Sequence, residues 1–147
     1  MHQQLTIKQL EQKSNDVRKD IIRMLLAAGS GHSAGPLGLS DLMVTLYFNI
    51  LNIDPKNPEW DERDYFLMSN GHCVPVQYAV MAERGFFPLE ELLTLRKFGS
   101  RLQGHPERTK LPGLENTSGP LGCGIAQASG IAYSLQYLDG VTHRFVY

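Results

Sequence analysis

From Leu10 onward, apolar positions fall at 10, 17, 21, 25 and 28, with Ser14 as the weak step. A three-to-four-residue spacing of this kind predicts one amphipathic helix over roughly 6–28. The run stops at "AAGSG", where Gly29 and Gly31 can take positive φ. Ser40, a residue suited to an N-cap, opens a predicted second helix through "DLMVTLYFNIL". "NIDPKNPEWDERD" is a polar connector punctuated by prolines. It leads into "YFLMS", an apolar run without alternation, which predicts a strand buried on both faces. "VPVQYAVMAERG" reads as a helix with Pro75 in its first turn, and Pro88 as the opening of another, "PLEELLTLRKF". Residues 99–118 have little periodicity and form a predicted long loop, a length associated with function or disorder. "PLGCGIAQASGIAYSLQYL" returns to helix, with small residues that permit close approach to a neighbour. "DG" then turns the chain into "HRFVY", an incipient strand.

Strands separated by helices predict an α/β domain with a parallel sheet. At 147 residues the chain fits one domain. Hydrophobic residues at 42% and charged residues at 20% describe an ordinary globular composition. A net charge of −1 argues against a broad nucleic-acid footprint, which needs clustered Lys and Arg. "MLLAA" is too short to span a bilayer, and the polar N-terminus lacks the apolar core of a signal peptide. Neither a nucleic-acid nor a membrane partner is expected. Cys73 and Cys123 make neither a disulfide framework nor a CxxC metal spacing, so a reducing cytoplasm is the expected location. The sequon Asn116-Thr117-Ser118 is read as chance, and Trp60 and the aromatics at 65–66 as packing residues.

The candidate chemistry lies in four glycine-rich stretches: "GSGHSAGPLG" at 29–38, "SNGHC" at 69–73, "QGHPE" at 103–107 and "SGPLGCG" at 118–124. Three of the five histidines, His32, His72 and His105, follow a glycine, whereas His2 and His143 lack that context. A preceding glycine lets backbone approach a ligand while the imidazole projects from the turn. Imidazoles titrate near neutrality, so a cluster can move protons or hold a developing alkoxide. Glycine-rich helix entries offer free N–H groups to a diphosphate. No GxxxxGK[ST] loop, complete GxGxxG, HExxH or GxSxG is present; "GCGIAQ" lacks the last glycine. Taken singly, each Gly-His is more often a surface turn than a site. The residues alone lead to an α/β protein with candidate contacts for a phosphorylated ligand.

In their order and spacing, "SGHSAGPLGLSDLMVTLYF", "DYFLMSNGHCVPVQYAVMAERGFF", "LRKFGSRLQGHPE" and "PGLENTSGPLGCGIAQASGIAYSLQYLDG" resemble the N-terminal, diphosphate-binding part of transketolase. The likeness runs from about residue 15 to the end and is nearest to forms split into N- and C-terminal subunits. It implies a three-layer αβα thiamine diphosphate-binding fold with a mostly parallel sheet, truncated at its C-terminal side, in which residues 1–147 form the N-terminal part of the domain. It further implies transfer of a two-carbon glycolaldehyde unit from a ketose phosphate to an aldose phosphate, as in the pentose phosphate pathway. Thiamine diphosphate would supply the carbanion chemistry, and Mg2+ would bridge its diphosphate.

By the same resemblance, His32 contacts the reacting sugar oxygen and His105 holds the donor's terminal hydroxyl, both as catalytic residues. His72 lies near the cofactor diphosphate, and Gly35 takes a cofactor-contacting position. Gly119, Pro120 and Leu121 face the aminopyrimidine, with Leu121 supporting a bent cofactor. The sequence departs from the family in three places. Ser33-Ala34 replaces the more usual proline after the first histidine, Cys123 stands where Gln is common, and Cys73 where Ala is common.

The family's Gly-Asp-Gly metal signature is expected beyond Tyr147, so no metal ligand is assigned within the chain. The residues alone are expected to be inactive. A pyrimidine-binding domain or C-terminal subunit is the implied partner, in a homodimer or heterotetramer. The alternatives are a degenerate, non-catalytic assembly subunit and, within the same fold, a 1-deoxyxylulose-5-phosphate synthase-like enzyme.

Overall fold

A computed structural model describes residues 4–147; His2, which lacks the Gly-His context, lies outside them. Helix α1 spans Ile7–Ala28. Its start is a capping box: the Thr6 hydroxyl accepts from the Gln9 N–H, and the Gln9 side chain accepts from the Thr6 N–H at 2.9 Å. Its end is Gly29 at φ 66°, whose N–H reaches the Leu25 and Leu26 carbonyls. The buried face runs through Ser14, Val17, Ile21 and Met24, with Leu10, Leu25 and Ala28 partly covered. Ser14 is thus a small residue on the core face rather than a break in it.

The second predicted helix is divided. A short α2, Ala34–Gly38, precedes α3, Ser40–Thr45, which continues as a π-helical turn over Leu46–Ile50. Ser40 is not the N-cap that its type predicts; Leu39 holds that position. The buried Ser40 hydroxyl instead donates to the Pro36 carbonyl at 3.1 Å, fastening α3 back onto α2.

Helix α4, Val74–Arg84, is the axis of the molecule, with residues 74–82 all buried and Pro75 in its first turn as anticipated. It packs against α1, α3 and the 3-10 turns that precede and follow it. Its polar groups reach for partners accordingly. Gln77 Nε2 donates to the Tyr47 hydroxyl at 3.1 Å, and Arg84 Nε donates to the Tyr47 carbonyl at 3.0 Å. The segment after Pro88 is a 3-10 helix, Leu89–Thr94, and not the longer α-helix predicted for it. Only Leu92 and Leu95 are buried there, and their i,i+3 spacing suits three residues per turn. Residues 99–118 are irregular, as read. Helix α5, Cys123–Tyr133, ends in a π-helical turn over Ser134–Leu138.

The parallel sheet expected from the α/β pattern is corrected: the described residues form helices and turns, with no named strand. Residues 65–67 and 145–147 lie side by side through one parallel bridge, Tyr65 to Val146. Three backbone bonds support it: Tyr65 N–H to Phe145 O (2.8 Å), Tyr147 N–H to Tyr65 O (2.8 Å) and Leu67 N–H to Tyr147 O (2.9 Å). The opposite edge of this segment is paired differently. Backbone groups alternate sides along an extended segment, so Met68 faces away from this partner. There it meets a side chain: Asn116 Oδ1 accepts from the Met68 N–H and Asn116 Nδ2 donates to the Met68 carbonyl, both at 3.2 Å. Asn116 does for one residue what a neighbouring strand would do for several. The sequon residue is therefore a buried structural bridge.

Truncating Ile21 to Ala should lower stability by about 2–5 kcal/mol through cavity formation, while Thr6→Ala, which removes only the cap, should cost roughly 1 kcal/mol. Urea denaturation followed by circular dichroism checks both, and equal losses would contradict a core centred on α1 and α4.

Candidate active site

Three turns carry the three Gly-His pairs to one region. His32 lies between the C-terminus of α1 and the start of α2. His72 sits in a 3-10 turn, Gly71–Cys73, that leads into α4. His105 follows Gln103, whose carbonyl accepts from the buried Tyr78 hydroxyl of α4 at 3.1 Å. Burial pushes the Tyr78 hydroxyl well above its usual range, so it remains a donor at any ordinary pH. Sequence positions 32, 72 and 105 thus converge. The ring centroids of His32 and His72 are 5.2 Å apart, those of His32 and His105 6.3 Å, both in edge-on arrangements.

The stretch 118–124, here the glycine bridge, comes beside this cluster because two glycines let backbone meet backbone. An ideal β-carbon at Gly71 would stand 2.8 Å from the Ser118 carbonyl carbon, and one at Gly124 would stand 2.6 Å from Ser69 Cα. Real side chains do not fit at such distances. The crossing is secured by Gly124 N–H donating to Ser69 Oγ at 3.2 Å and the Ser118 hydroxyl donating to the Ser69 carbonyl at 3.3 Å. It brings Gly119 opposite His105: a β-carbon on Gly119 would find His105 Cδ2 at 4.0 Å and no nearer neighbour. Gly35 backs directly onto the Cys73 thiol, which would overlap any β-carbon placed there. Pro120 and Leu121 are exposed, and among the described residues no hydrogen bond or ring contact joins them to the imidazoles.

The surroundings of His105 act on its titration. Partial burial, then the positive potential of His32, Arg96 and His72, lowers its pKa below the ordinary histidine value. His105 also lines a surface cleft of about 370 Å³ with Glu107, Lys110, Thr117 and Ser118. Thr109 and Thr117 donate to Glu107, holding its carboxyl below the usual carboxylate range. Burial pushes the Cys73 thiol up, which disfavours the thiolate and a nucleophilic role. Cys123 is exposed and unpaired at the start of α5. His143 pairs with Glu62 and does not join the cluster. Among the described residues no group of three His, Cys, Asp or Glu has the arrangement of a metal site, and no helix is long and apolar enough to cross a membrane.

The sequence pattern missed the residues that assemble the site: Ser69, Tyr78, Asn116 and Ser118. Ser69 and Ser118 open two of the glycine-rich stretches and Asn116 opens the sequon, but the pattern marks none of these as structural; Tyr78 carries no signal.

The imidazoles of His32, His72 and His105 thus gather on glycine turns near a glycine-rich helix entry. A family model described as "Transketolase, thiamine diphosphate binding domain" matches residues 11–144, and the chain belongs to that family. It is 38% identical over 127 residues to the 6-deoxy-6-sulfo-D-fructose transketolase subunit SqwG of Clostridium sp. (strain MSTE9), covering 86% of this chain and 46% of that protein. It is 43% identical over 135 residues to the chloroplastic transketolase of Spinacia oleracea, covering 90% of this chain and 18% of that one. Among solved structures, transketolase from Campylobacter jejuni superposes with a TM-score of 0.86 at 33% identity, over 96% of this chain and 23% of that one. Transketolase from Leishmania mexicana gives 0.85 at 35% identity, over 92% and 20%. The chain therefore spans less than half the length of these relatives, and it shares the fold of the corresponding part of the solved enzymes.

In a histidine-by-histidine NMR titration, His105 should titrate below the ordinary value of about 6.5, and His32→Ala should move it upward. The linkage sign follows. With the folded pKa lowered, the unfolded chain binds more protons between the two values, so His105 opposes stability as pH falls through the unfolded value and has no such effect above it. A His105 midpoint unmoved by His32→Ala would show that the two rings are not electrostatically coupled.

Proposed function

We propose that this chain supplies the diphosphate-side half of a transketolase active site, which moves a two-carbon glycolaldehyde unit from a ketose phosphate to an aldose phosphate. The observation that carries the reading is the convergence of His32, His72 and His105 beside Gly119. The residues fit thiamine diphosphate by their chemistry. The face before Gly119 is bare of side chain, the bridge offers backbone polar groups, and the exposed Leu121 offers an apolar support. When bound, the cofactor supplies carbanion stabilisation that amino-acid side chains lack.

In this reading His32 holds and protonates the reacting sugar oxygen, and His105 hydrogen-bonds the donor's terminal hydroxyl. Its lowered pKa favours the neutral imidazole, in which one ring nitrogen donates while the other accepts. His72 and the small Gly35 border the diphosphate; Gly119 and Pro120 present backbone to the aminopyrimidine, and Leu121 props the bent conformation. Each imidazole thereby stabilises charge on oxygens as it develops. Magnesium is held, in this proposal, by residues outside those described. The remaining cofactor contacts come from a pyrimidine-binding domain or a complementary subunit, in a dimer or heterotetramer. The name of the clostridial relative, a transketolase subunit, supports such a division.

The test is reconstitution with the complementary transketolase portion, followed by two-carbon transfer from ketose phosphates in the presence of thiamine diphosphate and Mg2+. His32→Ala and His105→Ala should each lower kcat by roughly 10²–10⁴ with circular dichroism unchanged, and Leu121→Ala should raise the cofactor concentration needed for activation. Near-wild-type kinetics in both histidine variants would overturn the assignment. An assembled complex that binds cofactor without turnover would favour a non-catalytic assembly role.

A further inference from the structure

Arg96 is the one non-glycine residue among those described with positive φ, at 61°. A side chain with a β-carbon avoids that region, and glycine would occupy it freely. Its backbone N–H donates to the Leu102 carbonyl at 2.9 Å, closing the loop that leads to His105. Its side chain explains why the position is not glycine. The guanidinium lies in the gap left by Gly104: an ideal β-carbon there would meet Nε at 2.9 Å, with Cζ and Nη2 at 3.2 Å. On its other side, Nη1 points to the Ser30 hydroxyl at 3.4 Å, and Cζ lies 3.9 Å from where a Gly31 β-carbon would stand. One planar cation is thus set between the turn that precedes His32 and the turn that precedes His105.

We infer that Arg96 is a positioning residue, whose guanidinium clamps Ser30–Gly31 to Gly104 and so sets the separation of His32 and His105. The inference rests on the proposed role of these two histidines in two-carbon transfer. It also accounts for the glycine before His105, which leaves the slot that the guanidinium fills. The unfavourable backbone is the consequence of delivering a long planar cation from a tight turn. Electrostatics act in the same direction: burial first, then the charges of His32, Arg96 and His72, lowers the His105 pKa. Glu107 and Lys110 are the other charged groups beside His105, in the adjoining cleft.

Three variants of the intact protein separate the clamp from a merely structural turn. Arg96→Gly relieves the backbone and removes the cation, Arg96→Lys keeps charge without the planar fork, and Gly104→Ala fills the slot while leaving Arg96 in place. NMR reads the His105 titration midpoint and the cross-relaxation between the His32 and His105 rings. Arg96→Gly should keep or raise the melting temperature, move the His105 midpoint upward and weaken the ring-to-ring signal. Gly104→Ala should weaken that signal too, and Arg96→Lys should restore the midpoint more fully than the ring separation. In the reconstituted complex, Arg96→Gly should lower kcat roughly ten- to a hundredfold and shift the acid limb of the pH profile upward. An unchanged midpoint and ring signal in Arg96→Gly would overturn the clamp, as would an unchanged ring signal in Gly104→Ala. Both NMR readouts are independent of turnover, so an intact clamp in a complex without two-carbon transfer would count against the functional proposal alone.

Discussion

Where residues 118–124 cross residues 69–71, two backbones meet with no side chain between them, and the arrangement of the site depends on that crossing. Close approach of this kind is available only to glycine, here Gly71 and Gly124. Two serine hydroxyls then satisfy polar groups that the contact would otherwise strand. The result is that Gly119, near the start of this stretch, comes opposite His105. A single methyl group at either glycine would separate the two halves of the site.

Beneath the crossing, α4 provides the rigid reference. Along a helix buried for most of its length most polar side-chain groups find partners: Gln77 Nε2 and Arg84 bind Tyr47 and Tyr78 binds Gln103, while Gln77 Oε1 has none. Those bonds carry positional information outward: the turn before α4 holds His72, and the Gln103 anchor holds His105. The long loop at 99–118 is irregular without being loosely tied. Asn116 pairs with both backbone groups of Met68, and the Ser118 N–H reaches the Pro106 carbonyl at 3.2 Å. A functional loop needs such side-chain substitutes, because it has no ladder of its own.

Much of the helical frame was legible along the chain. Amphipathic spacing placed α1 to within a residue, and the proline rule placed the start of α4. The errors have physical sources. Ser40 looked like a cap because its hydroxyl is well suited to one, but burial against α2 gave that hydroxyl another acceptor. The apolar run at 89–98 looked α-helical, whereas only a three-residue repeat faces the core. "YFLMS" has the composition of a buried strand, yet strand identity belongs to pairs of segments. Its neighbours here are one short extended stretch and one asparagine side chain.

The chain's own order of residues determined the family, through four motifs at characteristic spacings, and the local turns on which its histidines stand. Local chemistry suffices for these, because caps, glycine turns and periodic apolar faces depend on residues near one another. Tertiary structure alone decided that His32, His72 and His105 share one surface, that His105 sits where burial and neighbouring charge lower its pKa, and that Arg96 stands between two of their turns. Those are long-range properties. They arise from crossings between segments tens of residues apart, and nothing in local spacing encodes which glycine will have a backbone, a thiol or a guanidinium pressed against it.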